Sequence, residues 1–467
     1  MGQDLRAYLS RLAPGVSGLT EVDRSVSPHD FEVTALLKQL DDRQKYPAVL
    51  FKNPVDLYNQ PSPFQILTNL YATRSRCAEM LGLSSDDTRG SLARRYARLS
   101  GTSIAPDVLS QDAPVHDVIW TGADADIGRL PIVRHFAMDM GPTLTMTHVM
   151  RAPEGHYNIS FAKTFYKWHP SEMVVSIHTR DMSRIVREYA ARGEPAPIIN
   201  VLGHHPAFHL GSLAPNAWGV NDYEAIGGFL NQPLRLAPSV TWGDRFMVPA
   251  DAEVIIEGEI PPERKDVCDP FGEVARLYQA QCLRPIFQVK AITFRRNPII
   301  QDIFSGFADS FPLGAIPKEA GLETALRPLF PNISEIHVPS SGCGVYVCYI
   351  SLRDVQDGQV EAIGQAVFGR IGVLQCVVVV DADIDVFNEA DVLWAIHTYP
   401  SLKDDFLPLT GDFAKHPGER SGFGTTRWGS KVVINATRPR HIAFGLRSEI
   451  PADALARMKL SDFMPNI

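Results

Sequence analysis

Asp269 and Glu273 stand at i and i+4 in the run Asp266-Val267-Cys268-Asp269-Pro270-Phe271-Gly272-Glu273. A Pro-Phe-Gly turn separates them. A carboxyl group held at a turn tip is a competent general acid or base. The same two residues have a structural reading, with Asp269 capping the turn and Glu273 a solvated strand residue. A turn needs a frame to position it. Glu253-Val254-Ile255-Ile256-Glu257-Gly258 reads as a strand before it, and Arg276-Leu277-Tyr278 opens an extended run after it. Loop tips on a rigid sheet are where reactive groups gather.

Other residues invite a metal. Asn158, His178, Asp181 and Glu224 are hard-ligand types that suit Mg²⁺ or Mn²⁺ better than zinc. Spacing alone does not bring them together. His204-His205 are adjacent, so on a regular strand they face opposite ways, and a turn or core role fits them better. Asp381, Asp383 and Asp385 begin like a calcium loop, but Val386 and Val392 stand where that loop needs Gly and Glu. They read as strand-end and helix-capping carboxylates. The phosphate loop, the dinucleotide glycine fingerprint, the nucleophile elbow and the H-E-x-x-H zinc motif are all missing.

Composition narrows the class. The chain has 467 residues, 45% of them hydrophobic and 21% charged. That length predicts two to four domains, at roughly 100–200 residues each. A net charge of −8 without a basic block argues against nucleic acid or an anionic membrane as partner. The six cysteines form no CxxC pair and read as reduced thiols of a cytoplasmic protein. The first residues lack an apolar signal core, and no run is long enough to span a membrane.

Periodicity divides the chain in three. Helices are predicted over 4–13, 30–40, 66–81 and 92–100, with a buried strand at Ala48–Phe51. From about residue 117 short strands alternate with Pro- and Gly-marked turns, at 130–133, 145–150, 157–165 and 172–177. This texture suggests a β-rich domain, in barrel form. It also holds helices near 183–192 and 222–229, the second carrying Glu224. From about residue 310 the pattern becomes α/β, with strands at 344–351 and 376–380 and helices at 318–327, 359–370 and 389–398. The amphipathic stretch 454–463 is suited to docking on another domain or subunit. The expected architecture is a multidomain α+β chain, with units at 1–115, 116–310 and 311–467.

Eight short segments, in order, resemble one family. They are Asp4-Leu5-Arg6 through Leu12, Asp126 to Ile132, Asn158-Ile159-Ser160-Phe161-Ala162-Lys163, Gly203 to Ala207, Pro249 to Gly258, the Pro-Phe-Gly-Glu turn, Val377 to Trp394, and Gly429-Ser430-Lys431. Together they resemble the UbiD decarboxylases, which use prenylated flavin mononucleotide. The resemblance implies a flavin-binding split barrel between an N-terminal α+β domain and a C-terminal α/β domain used in dimerisation. It implies prenylated FMN, a divalent metal, usually manganese, and K⁺. Cofactor contacts are implied at Asn158, Ser160, Phe161, Ala162, Arg180, Ser212, Glu224 and Lys431, with Lys431 near the phosphate. Metal ligands are implied at Asn158, Asp181 and Glu224. The third family ligand is usually His, and His178 lies three residues from Asp181.

The family's catalytic Glu-Arg-Glu network is altered here. Glu273 matches the second Glu, the proton donor. Lys163 stands at the Arg position and loses the bidentate fork that Arg offers a carboxylate. Cys268 aligns with the first Glu, and Asp269 is displaced by one. The implied catalytic set is therefore Glu273, Lys163 and Asp269. The implied reaction is reversible, non-oxidative decarboxylation of an aromatic, heteroaromatic or α,β-unsaturated carboxylic acid. Alternatives are a carboxylase or CoA-ester decarboxylase on the same cofactor, and a non-catalytic subunit. Expected partners are the small acid, a second copy of the chain, and the flavin prenyltransferase that supplies the cofactor.

Overall fold

A computed structural model describes residues 4–15, 18–110, 112–177, 180–268, 270–410 and 430–464. Asp269 and His178 lie outside the described residues. Six antiparallel strands close on themselves at the centre. In spatial order they are Val254–Ile260, Ala196–Val201, Thr143–Arg151, Tyr157–His169, Glu172–Val175 and Cys282–Phe294. The last pairs back onto the first. Closure leaves no open edge. β-Branched residues such as Val254-Ile255-Ile256 favour this pleated, buried setting. A bulge between Glu257 and Gly258 bends the closing pair. Gly258 is required there, since a Cβ would lie 2.2 Å from the Gln288 carbonyl oxygen.

The N-terminal sheet holds Leu19–Val22, Ala48–Phe51, Gln65–Thr68 and, from far along the chain, Ile299–Gln301. The first helix, Leu5–Leu9, is capped by the Asp4 carboxylate on the Ala7 N–H. It buries Leu5, Tyr8 and Leu9 in the same apolar cluster as Ile256 and Phe287 of the barrel. The expected helix at 66–81 is instead a strand, Gln65–Thr68, and a helix, Arg74–Met80. The Asn69 side chain donates to Pro47 O at 2.7 Å, and its backbone φ is 61°. This left-handed turn separates the two elements. The expected strand at 130–133 is irregular and follows the short 3₁₀ turn Ile127–Arg129.

A five-stranded mixed sheet forms the C-terminal part, in the order Ile333–His337, Val347–Leu352, Cys376–Asp381, Ser430–Ala436, Phe406–Thr410. Helices Gln359–Arg370 and Glu389–Thr398 occupy the predicted spans. The predicted helix 318–327 is longer and runs Phe311–Leu326, with Pro317 inside. It follows Ile299–Gln301 of the N-terminal sheet and leads into this sheet. Two short helices end the described chain, Ala452–Arg457 and Leu460–Phe463.

Candidate active site

Strand alternation aims Asn158, Ser160 and Ala162 to one face of Tyr157–His169. That face lines a cleft of about 740 Å³. The volume suits a cofactor-sized ligand. Phe161 contributes to the wall, as do Arg180 and Asp181 at the start of helix Arg180–Ala191. Arg180 has a left-handed φ of 61°, a conformation that costs energy in a non-glycine residue and clusters at functional sites. Ser212 lines the cleft from the end of helix Pro206–Gly211 and donates to His209 O at 2.7 Å. Glu273 also lines the cleft.

Lys163 has the opposite parity on its strand and does not line the cleft. Its Nζ lies 3.7 Å from Glu273 Oε2 and donates to the Gly272 carbonyl. It also sits 5.0 Å above the Phe271 ring. The Gly272 N–H donates to Asp139 Oδ1 at 3.2 Å. The Gly272 residue is thus gripped at both its N–H and its C=O, which fixes the residue that follows, Glu273. Gly272 admits no side chain, since a Cβ would lie 2.2 Å from the Phe136 ring. Burial pushes the Asp139 carboxyl up, against the lowering effect of His135 and two backbone N–H donors. Asp139 was missed in the sequence. Its only signal there is an acid inside the apolar run Ala137-Met138-Asp139-Met140.

Asp222 was also missed. It is buried at the first position of helix Asp222–Leu230, after the Asn221 cap. Its carboxylate accepts from Ile159 N at 2.7 Å, Asn216 Nδ2 at 2.7 Å and Asn158 Nδ2 at 3.2 Å. Burial pushes its pKa up to about 6, and the neighbouring Asp181 adds to the rise. Glu224 lies about 200° further round the helix, at 3.6 residues per turn. It accepts from Ser103 Oγ at 3.0 Å and Asn221 Nδ2 at 3.4 Å, and does not line the cleft. The structure therefore brings Asn158, Asp181 and Asp222 to the cleft and turns Glu224 away from it.

Lys431 is elsewhere too. It is buried on the C-terminal sheet, where Nζ donates to Gly372 O at 2.6 Å and Leu374 O at 2.5 Å. Burial lowers its pKa to about 8. The histidine pair is structural. His204 Nδ1 accepts from His205 N at 2.8 Å, and His205 Nδ1 accepts from Ala207 N at 3.2 Å as a helix cap. Burial holds both well below ordinary histidine values, to about 4 and about 3. Asp381 accepts from Arg438 N and Arg440, and Asp385 pairs with Arg89, so these acids are also structural.

Comparison with known proteins gives this architecture a class. Profiles of the 3-octaprenyl-4-hydroxybenzoate carboxy-lyase N-terminal, Rift-related and C-terminal domains match residues 17–96, 107–308 and 312–436 in turn. The class is that of carboxy-lyases built on a flavin-type barrel. The chain belongs to the UbiD family and is a UbiD-type carboxy-lyase. It is similar to the UbiD-class enzyme HmfF from Pelotomaculum thermopropionicum in complex with FMN, with 28% identity and a TM-score of 0.88. That alignment covers 99% of this chain and 100% of the other. An evolved dimeric form of HmfF in complex with prFMN gives 28% identity and a TM-score of 0.86 over the same shares. The 3,4-dihydroxybenzoic acid decarboxylase AroY of Klebsiella pneumoniae shares the fold at 20% identity, with a TM-score of 0.83 over 99% of each chain.

Proposed function

We propose that the chain decarboxylates an aromatic, heteroaromatic or α,β-unsaturated carboxylic acid, reversibly and without oxidation, with prenylated FMN seated in the cleft. The observation that carries this reading is the placement of Glu273. Glu273 lines the cleft, Lys163 stands beside its carboxyl, and the turn that holds it is gripped from both sides. When bound, prenylated FMN supplies the electron sink that lets CO₂ leave an sp² carbon. Glu273 holds the proton that replaces CO₂ on the product carbon. Lys163 holds Glu273 in register and supplies the positive charge that Arg supplies elsewhere in the family. Asp139 positions the turn through the Gly272 N–H. Asp269 is assigned a supporting part in the same network.

Three residues lining the cleft fit a hard cation. Asn158, Asp181 and Asp222 offer oxygen donors, and Asp222 is a buried acid with a second acid beside it. We assign Asp222 the place given above to Glu224. Such a set would hold Mn²⁺, with K⁺ nearby, against the cofactor phosphate. Ser160, Phe161, Ala162, Arg180 and Ser212 would line the flavin. We assign the chain three units, 1–115, 116–310 and 311–467, and a homodimeric state. The exposed Leu446, Leu455 and Phe463 support a surface that a second copy covers. Among the described residues no helix is long and apolar enough to cross a membrane.

The test is coexpression with a flavin prenyltransferase and a panel of these acids. Glu273→Gln in loaded enzyme is expected to cut CO₂ release and deuterium exchange by about 100-fold or more. Turnover near wild type would remove Glu273 from the reaction.

A further inference from the structure

We propose that Cys268 and Cys282 form a reversible disulfide at the neck of the loop that carries Glu273. The chain that carries Glu273 leaves strand Lys265–Cys268 and returns into strand Cys282–Phe294. These strands are antiparallel, and Cys268 lies directly opposite Cys282. Directly opposed residues point to the same face, with Cβ atoms about 4.5–5.5 Å apart. A disulfide asks for about 3.5–4.5 Å, so a small approach of two strand ends suffices. Both side chains join one apolar cluster with Phe165, Val174 and Phe271. The contrast with Cys348 and Cys376 is instructive. Those two lie on neighbouring parallel strands, but Cys348 is opposite Val377 and Cys376 opposite Val347. Their side chains point to opposite faces of the sheet, and no bridge joins them.

Access differs between the two thiols. Cys282 is half-buried and Cys268 is fully buried. Cys282 therefore meets the oxidant first. With a low-molecular-weight disulfide such as oxidised glutathione, the Cys282 thiolate attacks one sulfur and expels one glutathione thiolate. The Cys268 thiolate then attacks Sγ of Cys282, and the second glutathione leaves. Two protein thiols are oxidised and one glutathione disulfide is reduced, and the protons of the two protein thiols pass to the two departing glutathione thiolates. The bridge draws together the two ends of a loop that carries Glu273 and Tyr278. The Tyr278 hydroxyl accepts from Met138 N at 3.2 Å. Phe271 shares the cluster and lies under Lys163, so the approach displaces the Lys163–Gly272–Glu273 arrangement.

The loss of activity rests on the function proposed above; the bridge itself does not. The holoenzyme is incubated with oxidised glutathione, cleared of excess, and mapped by non-reducing proteolysis. The expected result is a linked peptide joining Cys268 and Cys282 and slower amide exchange in 269–281. Turnover falls by about tenfold or more, the scale on which a displaced catalytic group costs rate. Dithiothreitol restores both. Cys282→Ala keeps basal turnover and loses the linked peptide and the sensitivity. Glutathionylated Cys282 without a linked peptide would overturn the proposal. So would a linked peptide that leaves exchange and turnover unchanged. A holoenzyme inactive on every acid counts against the proposed function, while mapping and exchange still decide the bridge.

Discussion

Buried carboxylates occur in two settings in this molecule. Glu253 and Glu319 are fully buried, and each meets cationic side chains from distant segments. Glu253 accepts a bidentate Arg6 at 2.8 and 2.8 Å, with Arg295 at 3.5 Å. Glu319 accepts a bidentate Arg74 at 2.7 and 3.0 Å and His337 at 2.8 Å. Asp222 is almost as buried, yet among the described residues its hydrogen bonds come only from amides and a backbone N–H. The charged residue that acts on it is another acid, Asp181. The two carboxyls diverge accordingly. Burial pushes Glu319 up, but Arg74 and His337 outweigh it and hold the group down to about 2. Burial pushes Asp222 up to about 6. A buried acid with its cations built in is a clamp between segments. A buried acid held by neutral donors suits a cation from outside the chain.

The largest effect that tests this contrast is at the clamp. Arg74 lies on an N-terminal helix, Glu319 on the joining helix, and His337 on the C-terminal sheet. Glu319→Gln leaves Arg74 without its charge partner in a largely buried place. Breaking a buried pair in this way costs roughly 3–5 kcal/mol. Urea unfolding checks it, and a loss below about 1 kcal/mol, the scale of an exposed ion pair, would end the clamp reading.

The same residue sets an acid limb. The folded-state pKa of Glu319 is depressed from 4.5 to about 2. Its contribution is therefore present above 4.5 and lost as pH falls through about 2. Stability of the wild type is expected to decline across that window, and Glu319→Gln flattens that decline. An identical slope in both proteins would assign the acid limb to other groups.

Asp222→Asn is expected to act in the opposite sense. The amide keeps an acceptor for Ile159 N and removes a charge from beside Asp181. Without metal, the variant's Tm is expected to match or exceed that of wild type. With Mn²⁺, the rise in Tm that binding gives the wild type is lost. Differential scanning fluorimetry with and without Mn²⁺ reads both. A Tm loss without metal as large as that of Glu319→Gln would erase the difference between the two settings.

These residues also mark what was legible in the sequence. The span 157–165 was legible as a strand, though not which of its faces meets a site, and the helices 359–370 and 389–398 were plain from their periodicity. The run 66–81 was not, because a short apolar stretch fits strand and helix equally until a turn divides it. The Pro-Phe-Gly-Glu turn was visible as a motif. Its grip was not, because Asp139 is far away in sequence and joins the turn only through a backbone N–H. Lys431 shows the converse. A motif suggested the phosphate, whereas its ammonium is spent on two carbonyls beneath the C-terminal sheet.

Glu224 supplies the smallest effect and the sharpest discrimination. It shares a helix with Asp222 and was the acid that the motif selected. Two steps at 3.6 residues per turn carry it to nearly the opposite side of the helix. There it is half-buried and accepts from Ser103 and Asn221. Glu224→Gln keeps one acceptor oxygen for Asn221 Nδ2 and places an amide N–H where the Ser103 hydroxyl oxygen accepts it, so stability is expected to change by no more than about 0.5 kcal/mol. The Mn²⁺-dependent rise in Tm is expected to stay as in wild type. If Glu224→Gln abolished that rise while Asp222→Asn kept it, the ligand would be the acid that faces Ser103. The helix would then have to turn by about half a revolution when metal binds. If only Asp222→Asn abolishes it, two acids two residues apart on one helix have been told apart by the helical repeat.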